Sequence, residues 1–201
     1  MKKEKIYKCF SKMPVLETQR LVLRKIELRD YEDMYEYSKK PSVTEYLLWS
    51  PHKDCFYTRE YIQYINERYK IGEFYDWAVE YRENGKMIGT CGFTKFDFNA
   101  NSAEIGYVLN PEYRGRGIAA EAVSEVIRFG FDRLGLNRIE ARFMQGNHAS
   151  FRVMQKCNMT FEGYARESML VKGAYRTIGY CSLLASEYQK EQSEILKSKS
   201  V

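Results

Sequence analysis

The residues most open to a chemical reading are Tyr113-Arg114-Gly115-Arg116-Gly117-Ile118-Ala119. They follow an apolar run, Ile105 to Leu109, and open a long amphipathic segment, Ala119 to Leu134. In a strand-to-helix turn of this kind, small residues leave backbone N–H groups facing outward with no side chain in front of them. Unpaired amides and the helix dipole then both favour negative charge. A phosphorylated ligand is one reading. A tight glycine turn that binds nothing is the other, because short glycine motifs recur by chance.

Other chemistries find less support. The five cysteines, Cys9, Cys55, Cys91, Cys157 and Cys181, are odd in number and contain no C-x-x-C pair. That argues against a disulfide framework or a structural zinc site and fits a reducing compartment. The two histidines, His52 and His148, argue against a histidine-rich metal centre, so no metal ligands are expected. The net charge of +5 suits a phosphorylated ligand. Its lysines and arginines are spread along the chain, so nucleic-acid binding is not indicated. No apolar run follows Met1-Lys2-Lys3, and no stretch is long enough to span a membrane. The expected location is cytoplasmic.

The 201 residues fit one domain with a real core. Residues 1 to about 14 read as a loose lead-in ending at Pro14, so 1–15 is expected to be an N-terminal extension. Gln19 to Ile26 reads as a strand, with Leu21 and Leu23 on one face. Asp30 is a plausible N-cap for a short helix, broken by Lys39-Lys40-Pro41. The segment Val43 to Asp54 is unusually apolar for a loop, and Tyr46 and Trp49 are candidates for one wall of a substrate pocket or for a flap on the core. Thr58 to Tyr69 has helical spacing. Trp77 to Tyr81 and Met87 to Phe93 are paired strands around the hairpin signal Asn84-Gly85.

Ala103 to Leu109 is the next strand, and Gly135 ends the helix after the glycine motif. Arg138 to Met144 is a strand, and Asn147 starts a short helix. Strands about Phe161 to Leu170 and Tyr175 to Leu183 close the domain, and a charged tail follows over 186–201. The pattern is α+β.

Several ordered motifs now point to a family. Arg114-Gly115-Arg116-Gly117-Ile118-Ala119 resembles the Arg/Gln-x-x-Gly-x-Gly/Ala signature of GNAT acetyltransferases, in its place between strand and long helix. Leu16 to Arg24, Asn147-His148-Ala149-Ser150, Val153 to Lys156 and Phe161-Glu162-Gly163 resemble its RimJ/RimL-like branch. The resemblance covers about residues 16 to 185. Asn158 departs from it, standing where the family has a glycine, although asparagine tolerates the left-handed conformation needed there.

The resemblance implies a mixed, twisted, mostly antiparallel sheet flanked by helices, with splayed central strands. It implies acetyl-CoA as cofactor, its pyrophosphate cradled by backbone amides from Arg114 through Gly115, Arg116, Gly117 and Ile118 to Ala119. The Leu109 N–H would serve both as a cofactor contact and as an oxyanion donor. Ser150 is implied as proton donor to the departing thiolate, and Asn147 as a pantetheine contact; a first-turn residue and a helix cap are the alternative readings. Tyr107 is a further hydroxyl in the pocket. Glu104 is the candidate base, or a carboxylate in a strand-edge salt bridge. The implied activity is acetylation of a primary amine, with a protein N-terminal α-amine suggested by the branch. A polyamine, amino acid or antibiotic amine, or a CoA-binding sensor without turnover, stays open, as does a homodimer.

Overall fold

Alternating apolar positions build one eight-stranded sheet, described by a computed structural model covering residues 2–198. The strands are β1 (Leu16–Glu17), β2 (Leu21–Arg24), β3 (Asp76–Tyr81), β4 (Lys86–Asp97), β5 (Ser102–Leu109), β6 (Arg138–Met144), β7 (Thr160–Val171) and β8 (Ala174–Leu184). They lie in the order β1-β2-β3-β4-β5-β6-β8-β7. All neighbours are antiparallel except β5 and β6, which run parallel. The helix between those two is therefore the crossover that a parallel pair requires. The mixed α+β sheet expected from the sequence is what forms.

Turn residues fix the hairpins. Gly85 adopts φ 68° in the loop joining β3 to β4, and Lys172 and Gly173, at φ 50° and 80°, make the two-residue turn between β7 and β8. Positive φ at both central positions matches the twist of the flanking strands. Asn158 is left-handed at φ 57°, as asparagine permits.

Helices α2 (Tyr31–Ser38), α3 (Pro41–Thr44) and α4 (Cys55–Lys70) cover one face of the sheet, where Ile62, Ile65 and Tyr69 are buried with Met34 and Met87. Helices α5 (Ile118–Phe129) and α6 (His148–Lys156) lie against the other, larger core. Ala122, Val123, Val126 and Ile127 form the buried stripe of α5. A single π turn, Gly130–Leu134, follows it, and Gly135 closes the segment at φ 71°. Among the described residues no helix is long and apolar enough to cross a membrane.

The N-terminal lead-in differs from expectation. Lys3–Ser11 is a helix, α1, and its Ile6 and Phe10 are completely buried. Phe10 sits edge-on to Tyr75 at 5.0 Å and to Trp77 at 5.4 Å, centroid to centroid. A spacing of four residues places both apolar side chains on one helix face, a signal too short to stand out among the lysines. The tail also starts as a helix, α7 (Ala185–Ser198), whose buried Tyr188 stacks on Phe131 at 4.9 Å. Residues 199–201 of the expected tail lie outside the described residues.

Candidate active site

The glycine motif forms an open cradle at the start of α5. Gly115 and Gly117 adopt φ 79° and 76°, and Gly117 is the N-cap. A Cβ on Gly115 would meet nothing within 4 Å, and one on Gly117 only Arg20 Nη2 at 3.7 Å. Glycine is thus demanded by the backbone conformation, and the space before the amides is free for a ligand. The first N–H groups of the helix have no partner inside it, and Gly115, Gly117, Ile118 and Ala119 line the cavity.

The cradle is braced from the other end of the chain. Glu121 accepts from Thr18 Oγ1 at 2.5 Å, from Arg20 N at 3.0 Å and from Arg20 Nε at 2.6 Å. Arg20 Nη1 also donates to the Arg116 carbonyl at 2.9 Å. Burial alone would raise the Glu121 carboxyl; the bonds from Thr18 and Arg20 outweigh it and hold the group below its usual range. Arg114 lines the cavity, whereas the Arg116 guanidinium lies over the Tyr113 ring, 5.7 Å from its centroid.

Beside the cradle the sheet splits. The β5–β6 ladder runs from Ser102 opposite Arg138 to Ile105 opposite Ala141 and stops there, although both strands continue. The expected splay is therefore present, and a cavity of about 530 Å³ opens through it. Asn110 N donates back to Ile88 on β4 at 2.7 Å. Since N–H directions alternate along a strand, the Leu109 N–H turns the other way, toward the slot.

On the α5–α6 side of the slot stand Leu109, Ile118, Ala119, Asn147 and Ser150. Asn147 caps α6, accepting from Ser150 N at 3.1 Å, so its capping role is realised while it also lines the cavity. Tyr107 joins them: its hydroxyl lies 2.8 Å from Ser150 Oγ and donates to the Ser150 carbonyl at 3.0 Å. Burial pushes the Tyr107 phenol well up, against a smaller opposing effect of the Ser150 bond. Tyr107 therefore keeps its proton at neutral pH and shares it with one neighbour.

The opposite side of the slot holds Glu104, Arg142, Tyr46 and Met169. Glu104 is not free: Arg142 Nη2 stands 2.9 Å from one of its oxygens and 2.8 Å from the other. The salt-bridge reading of Glu104 is thus realised within the cavity wall. Tyr46 is in the cavity as expected. Trp49 does not line it; half-buried, it packs on His52 at 5.2 Å and against the cluster that holds Ile62 and Ile65 of α4. Sequence reading missed Arg142, Met144, Met169 and Ile178, which line the same side. The usable signal was parity on β6, where Arg142 and Met144 share a face with Glu140, the partner of Glu104.

An acetyltransferase (GNAT) domain model matches residues 20–160. The chain belongs to the GNAT acetyltransferase family. This GNAT acetyltransferase is 38% identical over 176 residues to the "uncharacterized N-acetyltransferase p20" of Bacillus licheniformis, covering 88% of this chain and 99% of that one. It is 25% identical over 169 residues to the [ribosomal protein uS5]-alanine N-acetyltransferase of Escherichia coli K12, covering 80% and 86%. A GNAT-family acetyltransferase structure from Bacillus anthracis superposes with a TM-score of 0.78 at 28% identity, covering 87% of this chain and all of that one. The family uses acetyl-CoA. The residues present fit it: an open, glycine-lined amide cradle leads into a slot between strands whose facing backbone groups have no ladder partner across it.

Proposed function

We propose that this GNAT acetyltransferase acetylates the α-amine of a protein N-terminus by direct attack, in the cytoplasm. The observation that carries the reading is the charge of the acceptor side. Among the described residues that line the cavity, the carboxylates are Glu45 and Glu104, and Glu104 is already paired with Arg142. A polyamine, with several ammonium groups, would need a cluster of carboxylates. A single amine followed by a peptide carbonyl suits one carboxylate and one guanidinium. The similarity to the uS5-alanine N-acetyltransferase supports the same class. The free state of all five cysteines supports a reducing compartment.

When bound, acetyl-CoA supplies the acetyl group as an activated thioester. The amides from Gly115 to Ala119 would hold the phosphates at the α5 terminus, with Arg114 adding charge. The Leu109 N–H, turned away from β4, would stabilise the charge developing on the thioester carbonyl oxygen, and such a donor is worth about 10²–10³ in rate. Ser150 would give its hydroxyl proton to the thiolate as the C–S bond breaks, and Tyr107, 2.8 Å from Ser150 Oγ, would replace it, the pair recovering one proton from solvent. Glu104, held in place by Arg142, receives the proton of the amine, directly or through water. The demand on it is small, since an α-amine has a pKa of about 7.7–8.0 against about 10.4 for lysine.

The test is incubation with acetyl-CoA and peptides bearing a free N-terminus and no lysine, alongside spermidine and an aminoglycoside. Thiol release with modified peptide is expected. Release with the small amines alone would replace this acceptor class, and coenzyme binding without release on any amine would make the chain a sensor. Tyr107→Phe should lower kcat by at least about tenfold with acetyl-CoA affinity kept; an unchanged kcat would remove Tyr107 from the relay.

A further inference from the structure

The acceptor side of the slot is walled by apolar side chains. Met144 and Ile178 are buried side by side, paired across β6 and β8, and Tyr46 and Met169 pack against their cluster while lining the cavity. Met169 reaches this face through an irregularity in β7. Ala165 lies opposite Ile178 and Met169 opposite Arg176, so the register shifts between them, and Glu167 turns at φ 50° within the excursion. The wall is latched to its roof: Lys172 Nζ, at the hairpin tip, donates to the Thr44 carbonyl at the end of α3 at 2.5 Å. Val43 and Leu47, on either side of Thr44, line the cavity too.

We propose that the residue carrying the acetylated amine seats an apolar side chain between Tyr46, Met144, Met169 and Ile178. The enzyme would then select N-termini beginning with leucine, isoleucine, methionine or phenylalanine. The inference rests on the N-terminal α-amine reading above. The amine lies at Glu104 and the first carbonyl oxygen at Arg142, which directs the intervening side chain toward Met144 and Ile178, on the same sheet face as that ion pair. A glycine would leave the space unfilled. A lysine or aspartate would lose its hydration against these four apolar side chains. Methionines adapt to several apolar shapes, so the expected choice is for a class of side chains rather than one.

The experiment measures kcat/KM on the native protein for lysine-free peptides identical except for the first residue: leucine, methionine and phenylalanine against glycine, serine and aspartate. Leucinamide and spermidine are run beside them. The apolar group should exceed the others by roughly tenfold or more. Met169→Gln should lower kcat/KM for the leucine peptide several-fold more than for the glycine peptide, with coenzyme A binding by calorimetry as the check that the variant folds. Peptides acetylated best with glycine, serine or aspartate first would overturn this inference and leave the N-terminal reading standing. Acetylation of spermidine or leucinamide with no peptide acetylated would overturn both. If Met169→Gln fails the folding check, the native panel decides alone.

Discussion

Arg142 reaches across the split between β5 and β6 to hold Glu104, one guanidinium nitrogen serving both carboxylate oxygens at 2.8 and 2.9 Å. The pair closes the sheet where the backbone ladder has ended, and it fixes the carboxylate at the acceptor side of the slot. A carboxylate so held is oriented, and its remaining lone pairs are the ones that could take a proton. Glu104→Gln keeps the shape and removes that capacity. It should lower kcat by about 10²-fold with little change in acetyl-CoA affinity. Unchanged turnover would reduce Glu104 to a strut.

The cradle makes a separate prediction. Gly117 is left-handed, and an L side chain there costs about 1–2 kcal/mol of stability while standing before the outward amides. Gly117→Val should therefore lose coenzyme A binding and melt a few degrees lower. Calorimetric titration with coenzyme A alone checks it; normal affinity would mean that the phosphates lie elsewhere.

Asp76 gives the stability of the fold a pH dependence. Its Oδ1 is buried without a partner, and burial raises the carboxyl from its usual 3.8 to about 7, against bonds from Thr90 and the Trp77 amide. With the folded pKa raised, the folded state keeps a proton that the unfolded chain has released. This stabilisation is whole below about pH 4 and fades as pH rises through 7. The native protein should thus lose several degrees of melting temperature between pH 5 and 8 relative to Asp76→Asn. Parallel curves for the two proteins would refute it.

Phe10 tests whether α1 belongs to the domain. It is fully buried against rings of β3, β4 and α5. Phe10→Ala should cost about 3–5 kcal/mol in urea unfolding. A loss under 1 kcal/mol would return the first residues to the status of an appendage.

How much of this was legible beforehand follows from the range of each signal. The strand from Arg138 to Met144, the cap at Gly135 and the hairpin signal at Asn84-Gly85 are local, set by periodicity and backbone preference, and they were readable. The glycine cradle was readable because glycine chemistry and helix ends act over a few residues. The Glu104–Arg142 pair, the Arg20–Glu121 brace and the Met169 wall depend on which strands lie side by side, and β8 inserts out of sequence order. Trp49 was undecided for a related reason: an apolar residue near a pocket residue can point either way, and of the two readings it takes the one packed against the core.

The strand order has a bearing on biogenesis. From β1 to β6 each strand docks beside its predecessor, so the sheet can grow as the chain leaves the ribosome, N-terminal part first. β7 cannot join this progression, because its place against β6 is taken by β8, the last strand synthesised. Among the described residues β7 pairs only with β8, so the two can enter as a hairpin whose β8 edge docks on β6, bringing Ile178 and Met169 to the acceptor wall together. The glycine cradle is thus complete in sequence some sixty residues before the acceptor wall, which closes only when this last hairpin is in place.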